Sequence, residues 1–123
     1  MNNIIFIAAL LVFTSCDVPG IIRLENESGG NATFITYQKD MNSKIDTVEV
    51  EISDRAKEEI ILGFGQRWTD DGIRRYLSEI EKIEVITEKE TLVLSDKKKM
   101  YQYFRKRRKG LFKQILKIKI EYY

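Results

Sequence analysis

The chain has 123 residues, 43% of them hydrophobic and 33% charged, with one Pro, one Cys and no His. That is the composition of a single globular domain, and it excludes a disulfide scaffold, a thiolate zinc finger, a His-ligated haem and any Ser-His-Asp or Cys-His catalytic apparatus. The 21 Lys and Arg nearly balance the 19 Asp and Glu, and a net charge of +2 taken alone suggests no strong attraction to nucleic acid or membrane.

After Met1-Asn2-Asn3 come nine uncharged apolar residues, 4–12, and then Phe13-Thr14-Ser15-Cys16. The run is too short for a bilayer core, which needs about 20 residues, and has the length of a signal-peptide h-region. With the small residues Thr14 and Ser15 directly before Cys16, the segment resembles a bacterial lipoprotein signal. The resemblance implies a diacylglyceryl thioether on the Cys16 sulfur, cleavage before Cys16, and acyl chains, palmitate among them, in the membrane. The n-region lacks Lys and Arg, so the amino terminus is its positive charge, and Phe13 stands where the family usually has Leu. The alternative is a buried strand or helix that happens to contain a Cys. It fits poorly with a charge-free block at the N-terminus followed by the turn-forming Val18-Pro19-Gly20. Residues 1–15 are then the signal, 16–20 the lipidated cysteine and tether, and 21–123 a single mainly-β domain. That domain resembles small envelope lipoproteins in general and no specific family.

Along this domain the alternation of Ile22, Leu24 and Asn26 with Arg23 and Glu25 predicts a strand over residues 20–26. A turn at 27–31 precedes the β-rich residues 32–39, which are expected to pair back on the first strand as a hairpin. Val48, Val50 and Ile52 alternate cleanly with Thr47, Glu49 and Glu51 in a third strand, and residues 59–64 form a fourth, with Gly63 and Gly65 marking a bulge or bend. Ile73, Leu77 and Ile80 recur at helical spacing, with Thr69 or Asp70 as N-cap, so residues 69–80 are expected as a short helix. Strands follow at 83–87, 92–94 and 116–122. Between the last two, Met100, Phe104 and Leu111 share a helical face, which predicts a helix over residues 98–109 with Gly110 at C′. Lys97, Lys98 and Lys99 oppose the helix dipole at its start. The fold class expected is mainly β, α+β at the margin: a small antiparallel β-sandwich or open barrel of about seven strands with one or two short helices.

Without His, a catalytic base must be a carboxylate, Lys or Tyr. Asp70-Asp71 beside Trp68 reads either as a carboxylate pair next to an aromatic sugar platform or as a helix cap after a buried Trp. Gly-x-Ser-x-Gly, Walker, His-Glu-x-x-His and EF-hand spacings are missing from the sequence. No catalytic residue, metal site or cofactor is therefore expected, and the chain is not read as an enzyme. Two sequons, Asn26-Glu27-Ser28 and Asn31-Ala32-Thr33, are explained by the turn they flank.

The remaining feature is electrostatic. Residues 97–123 hold 11 Lys and Arg and one acid, a balance of +10, whereas residues 17–96 hold 10 basic and 18 acidic residues, −8. The basic stretch consists of Lys97, Lys98, Lys99, Arg105, Lys106, Arg107, Arg108 and Lys109, with Tyr101, Tyr103, Phe104 and Phe112 interleaved. It reads either as a polyanion site for lipopolysaccharide or anionic lipid, with nucleic acid the least expected, or as solvated charge paired with the acidic body. The function expected is a lipid-anchored lipoprotein of the bacterial cell envelope, a non-enzymatic binding or structural module with a protein partner in the envelope. A polyanion or anionic-lipid binder, and a small hydrolase or enzyme inhibitor, are the alternatives. An outer-membrane position, facing the periplasm or the outside, is favoured over the inner membrane, although Asp17 after the cysteine retains some lipoproteins at the inner membrane.

Overall fold

The computed structural model describes residues 19–64, 66–110 and 113–121. Cys16 and its signal, Gly65, Leu111, Phe112 and Tyr122, each of which carries an expectation above, lie outside the described residues. Eight strands and two helices follow in the order β1 (Pro19–Glu27), β2 (Ala32–Lys39), β3 (Ile45–Ile52), β4 (Lys57–Phe64), α1 (Asp70–Leu77), β5 (Ile80–Thr87), β6 (Thr91–Leu94), α2 (Lys97–Arg105), β7 (Arg108–Lys109) and β8 (Ile115–Glu121). They form two four-stranded sheets, β4-β1-β8-β7 and β3-β2-β5-β6. The fold is mainly β, a sandwich rather than an open barrel. Ile22, Leu24, Leu116, Ile118 and Ile120 of the first sheet share one core with Phe34, Ile52, Ile83 and Val85 of the second.

The hairpin expected between the first two strands does not form. β1 pairs with β4 and β8, and β2 pairs with β3 and β5, so residues 28–31 carry the chain from one sheet to the other. Both strands have one fully buried face, Ile22 and Leu24 in β1, Phe34 and Thr36 in β2. Two such faces bury more area opposite each other than side by side in one sheet. The crossing is pinned by Asn26, whose buried amide donates to the carbonyls of Gly30 at 2.7 Å, Ile52 at 2.8 Å and Ser53 at 3.2 Å. Its Oδ1 accepts from the Ser28 backbone N–H at 3.0 Å and the Ser28 hydroxyl at 2.7 Å.

Four further expectations are corrected. β1 and β8 run parallel, so the sandwich is not wholly antiparallel. β1 takes in Pro19, assigned from sequence to the tether, because Pro19 already pairs with Phe64. The first helix ends at Leu77 and Ile80 opens β5, where it pairs with Gln38. The second helix runs Lys97–Arg105 rather than 98–109, since Arg108 and Lys109 pair with Leu116 and Ile115 as an eighth strand. Gly110, at φ 93°, therefore serves the turn after β7 and not a helix C′ position.

Chain connectivity gives the sandwich two unlike ends. One has the short turns 28–31, 53–56 and 88–90; the other has the start of β1, the β2–β3 turn and both helices, each of which bridges the two sheets. The second is called the helical end below.

Removing the amide of Asn26 leaves three carbonyls without their donor in a buried crossing. Asn26→Ala is expected to cost about 3 kcal/mol and to lower the melting temperature by roughly 10–20 °C, as read by denaturant and thermal unfolding. Asn26→Asp, isosteric but without the donor, is expected not to restore it.

Candidate functional site

The helical end is built around Trp68. Its side chain is fully buried, its backbone N–H donates to the Lys113 carbonyl at 2.6 Å, and its indole N–H donates to the Ile21 carbonyl at 3.2 Å. Tyr76 of α1 and Phe104 of α2 meet it edge-on at centroid distances of 5.2 and 5.7 Å, and stack on each other at 5.7 Å. Ile73, Leu77 and Met100 complete the apolar seam between the helices and the sheets. Helix α1 starts where Thr69 accepts the Gly72 N–H at 3.1 Å. A Cβ at residue 72 would lie 1.8 Å from the Arg67 carbonyl oxygen, so only Gly permits this close start.

This arrangement removes the carboxylate-pair reading of Asp70 and Asp71. Trp68 presents no face to a sugar, and Asp70 is held by Arg108 at 2.8 Å and Arg105 at 3.6 Å. The hydrogen bond from Arg108 is the main reason the Asp70 carboxyl lies below its usual range, with burial opposing and Arg105 adding to it. Asp71 points outward beside Arg74 at 3.6 Å. The Tyr76 phenol is pushed up to about 12 by burial and stays protonated at neutral pH. Among the described residues no group of three or more His, Cys, Asp or Glu is placed to hold a metal.

The eight basic residues singled out in the sequence do not form one stripe. The Lys97 ammonium donates to the carbonyls of Leu77 and Ile80, at the C-terminal end of α1 where a cation is favoured. This lets α2 begin with three lysines, while Asp96 caps it by accepting the Lys98 N–H at 2.8 Å. Arg105 and Arg108 serve Asp70 at the other end of the helix pair, and Arg107 lies 3.5 Å over the Tyr103 ring and donates to its carbonyl at 3.0 Å. Lys98, Lys99, Lys106 and Lys109 are exposed. A cleft of about 330 Å³ between the helices is lined by Arg74, Leu77, Ser78, Lys97, Lys98 and Tyr101, with the Arg74 guanidinium 4.9 Å over the Tyr101 ring.

The fold redraws the charge division. Lys117 and Lys119, counted with the basic C-terminal stretch, lie on β8 and pair with acids of β1: Lys117 with Glu25 at 3.2 Å and Lys119 with Glu27 at 3.4 Å. Burial disfavours ionisation of Glu25, but Lys117 and Lys57 more than offset it and lower its pKa. In exchange, Arg67, Arg74 and Arg75 join the basic end through α1 and the segment before it. Residues 66–79 and 95–113 together hold twelve Lys and Arg against four Asp and Glu, +8, and the rest of the chain holds nine against fifteen, −6. The Arg74-Arg75 pair in the last turn of the first helix is the sequence signal for this, masked by the longer run at 105–109.

Away from this end, Lys82 sits 2.8 Å from Glu84 and 4.3 Å over the Tyr37 ring on the outer face of the second sheet. Hydrogen bonding to Lys82 and then Tyr37 lowers the Glu84 pKa, and Glu84 in turn raises that of Tyr37. The cluster satisfies itself. A second cleft of about 470 Å³ at the opposite end of the sandwich is lined by Glu25, Asn26, Glu27 and residues of the β3–β4 turn, and its most buried groups, Glu25 and Asn26, are committed to the contacts described above. No helix among the described residues is long and apolar enough to cross a membrane.

No family model and no curated protein matches this sequence. A solved structure that is similar is the NMR structure of a protein from Eubacterium rectale, 17% identical, covering 84% of this chain and 77% of that one at a TM-score of 0.39.

Because the folded-state pKa of Asp70 is depressed, its ion pairs stabilise the fold above the unfolded-state pKa and that contribution fades as pH falls through the folded-state value. The melting temperature of Asp70→Asn is accordingly expected below that of the parent at pH 7, with the gap closing between about pH 5 and pH 2. A gap that is constant over that range would show that the carboxylate charge is not what matters.

Proposed function

We propose that this chain is a bacterial envelope lipoprotein, held in the membrane by acyl chains on Cys16, whose β-sandwich acts as a non-enzymatic binding or structural module. The observation behind the proposal is the short uncharged apolar run that ends in Thr14-Ser15-Cys16. The folded strand begins at Pro19, so a processed chain would expose almost no free polypeptide between lipid and domain. The non-enzymatic part is supported by the use of Asp70, the acid beside Trp68, as an ion-pair anchor, and by the burial of Tyr76. An outer-membrane destination fits better than the inner membrane, with an envelope protein as partner.

Expression of the full chain in a bacterial host should give a membrane-bound product whose intact mass begins at residue 16 and carries acyl groups, and which incorporates labelled palmitate. Cys16→Ser should abolish both the cleavage and the label. A soluble product that retains Met1 and incorporates no label would overturn the proposal.

A further inference from the structure

Building on the lipid-anchor proposal, we infer that the helical end is the membrane-facing surface of the domain and binds the anionic phospholipid headgroups around the anchor. Asp17 and Val18 alone separate Pro19 from Cys16, three steps along the backbone. At no more than ~3.6 Å per step the distance from Cys16 to Pro19 is at most about 11 Å, comparable with one headgroup layer of roughly 5–8 Å plus a shell of water. Whatever the conformation of those residues, the end of the sandwich at which β1 begins is kept against the bilayer.

That end is the helical one. Pro19 pairs with Phe64, just before the segment leading to α1, and the Ile21 N–H donates to the Gln114 carbonyl at 2.9 Å beside Lys113. Lys109 is in register with Ile115, which is in register with Ile21. The second sheet reaches the same end through the Lys39 N–H, which donates to the Glu79 carbonyl at 2.8 Å just past α1. The exposed cations Lys98, Lys99, Lys106, Lys109 and Lys113 are thus brought to the face that the tether presents.

Two further observations fit a membrane surface better than open solvent. Among the described residues the three most exposed large hydrophobic side chains, Met41 at 103%, Ile61 at 69% and Ile45 at 59%, all lie at this end. Met41 is displayed on the β2–β3 turn, which Asp40 fixes by accepting the N–H groups of Asn42 and Lys44 at 2.8 Å each. Ile61 lies in a cross-strand row with Ile21 and Ile115 on the outer face of the first sheet, whereas the next rows of that face are ion pairs. Apolar tips among lysines suit the headgroup–acyl boundary. At the β2–β3 turn Asp40 and Asp46 are balanced by Lys39 and Lys44. The acids of the opposite turns do not cancel the field: an eight-residue strand such as β2 is about 26 Å long, roughly three Debye lengths at physiological salt. The short turns of the opposite end carry Asp54, Glu88 and Glu90 against Arg55 and Lys89.

The test uses residues 16–123 with Cys16→Ser, which contain every described strand and helix and carry no acyl chain. Co-sedimentation is measured with vesicles of phosphatidylcholine alone and with ~30% phosphatidylglycerol added. Binding is expected to the anionic vesicles only, to weaken at least about tenfold between 50 and 300 mM salt, and to weaken at least about tenfold in Lys106→Glu/Lys109→Glu, since each basic residue at an anionic surface contributes about fivefold. Lys89→Glu/Lys119→Glu changes net charge equally at the other end and should bind like the parent. Circular dichroism melts check that both variants fold. Equal loss in the two variants, or no preference for anionic vesicles, overturns the inference. The mass and palmitate measurements decide the anchor separately, so a chain that is acylated but indifferent to vesicle charge refutes this surface and leaves the anchor standing.

Discussion

Trp68 carries two hydrogen bonds and two ring contacts that no other residue could replace together. Its backbone reaches Lys113 before β8, its indole reaches Ile21 in β1, and its ring edges meet α1 and α2 through Tyr76 and Phe104. β1 and β8 are the first and last strands in sequence and lie side by side in parallel, so the N-terminal ends of both must be brought together by something between them. An aromatic of this size contributes several kcal/mol through burial, and it does so only with the indole N–H satisfied. The Asp70–Arg108 pair adds a charged clasp next to it, modest in energy at partly exposed positions but specific in geometry.

From that plug follows the asymmetry of the molecule. Because both helices bridge the sheets at one end, whatever charge they carry is concentrated there. Their apolar faces are committed to Trp68 and the core, so their polar faces turn outward with Arg75, Lys98, Lys99 and Lys106. A net charge near zero conceals this separation.

Most strands were legible because alternation is a direct consequence of one buried face: residues 32–39 and 45–52 differ little from expectation, and all seven expected strands occur. What alternation does not encode is which strand lies next to which. The β1–β2 hairpin was expected from proximity and a turn-rich linker, but the side-chain amide of Asn26 fastens that linker to the β3–β4 turn and directs the chain into the other sheet. The second helix ends early because β8 offers Arg108 and Lys109 a strand partner, a contact some seven residues away in sequence that local propensity cannot register. The site was half legible. The basic run was visible as composition, while the separation of its members, Lys97 at one end of the helix pair and Arg105 and Arg108 at the other, depends on the packing of α1 against α2.

The proposed stance of this domain, on its helical end at a membrane, is tested most directly by its orientation. In acylated protein reconstituted into nanodiscs with a spin-labelled headgroup, amide signals of Met41, Gln102 and Lys106 should broaden while those of Asn31, Asp54 and Glu88 stay sharp. Broadening at the 28–31 and 53–56 turns, or at neither end, would contradict the account.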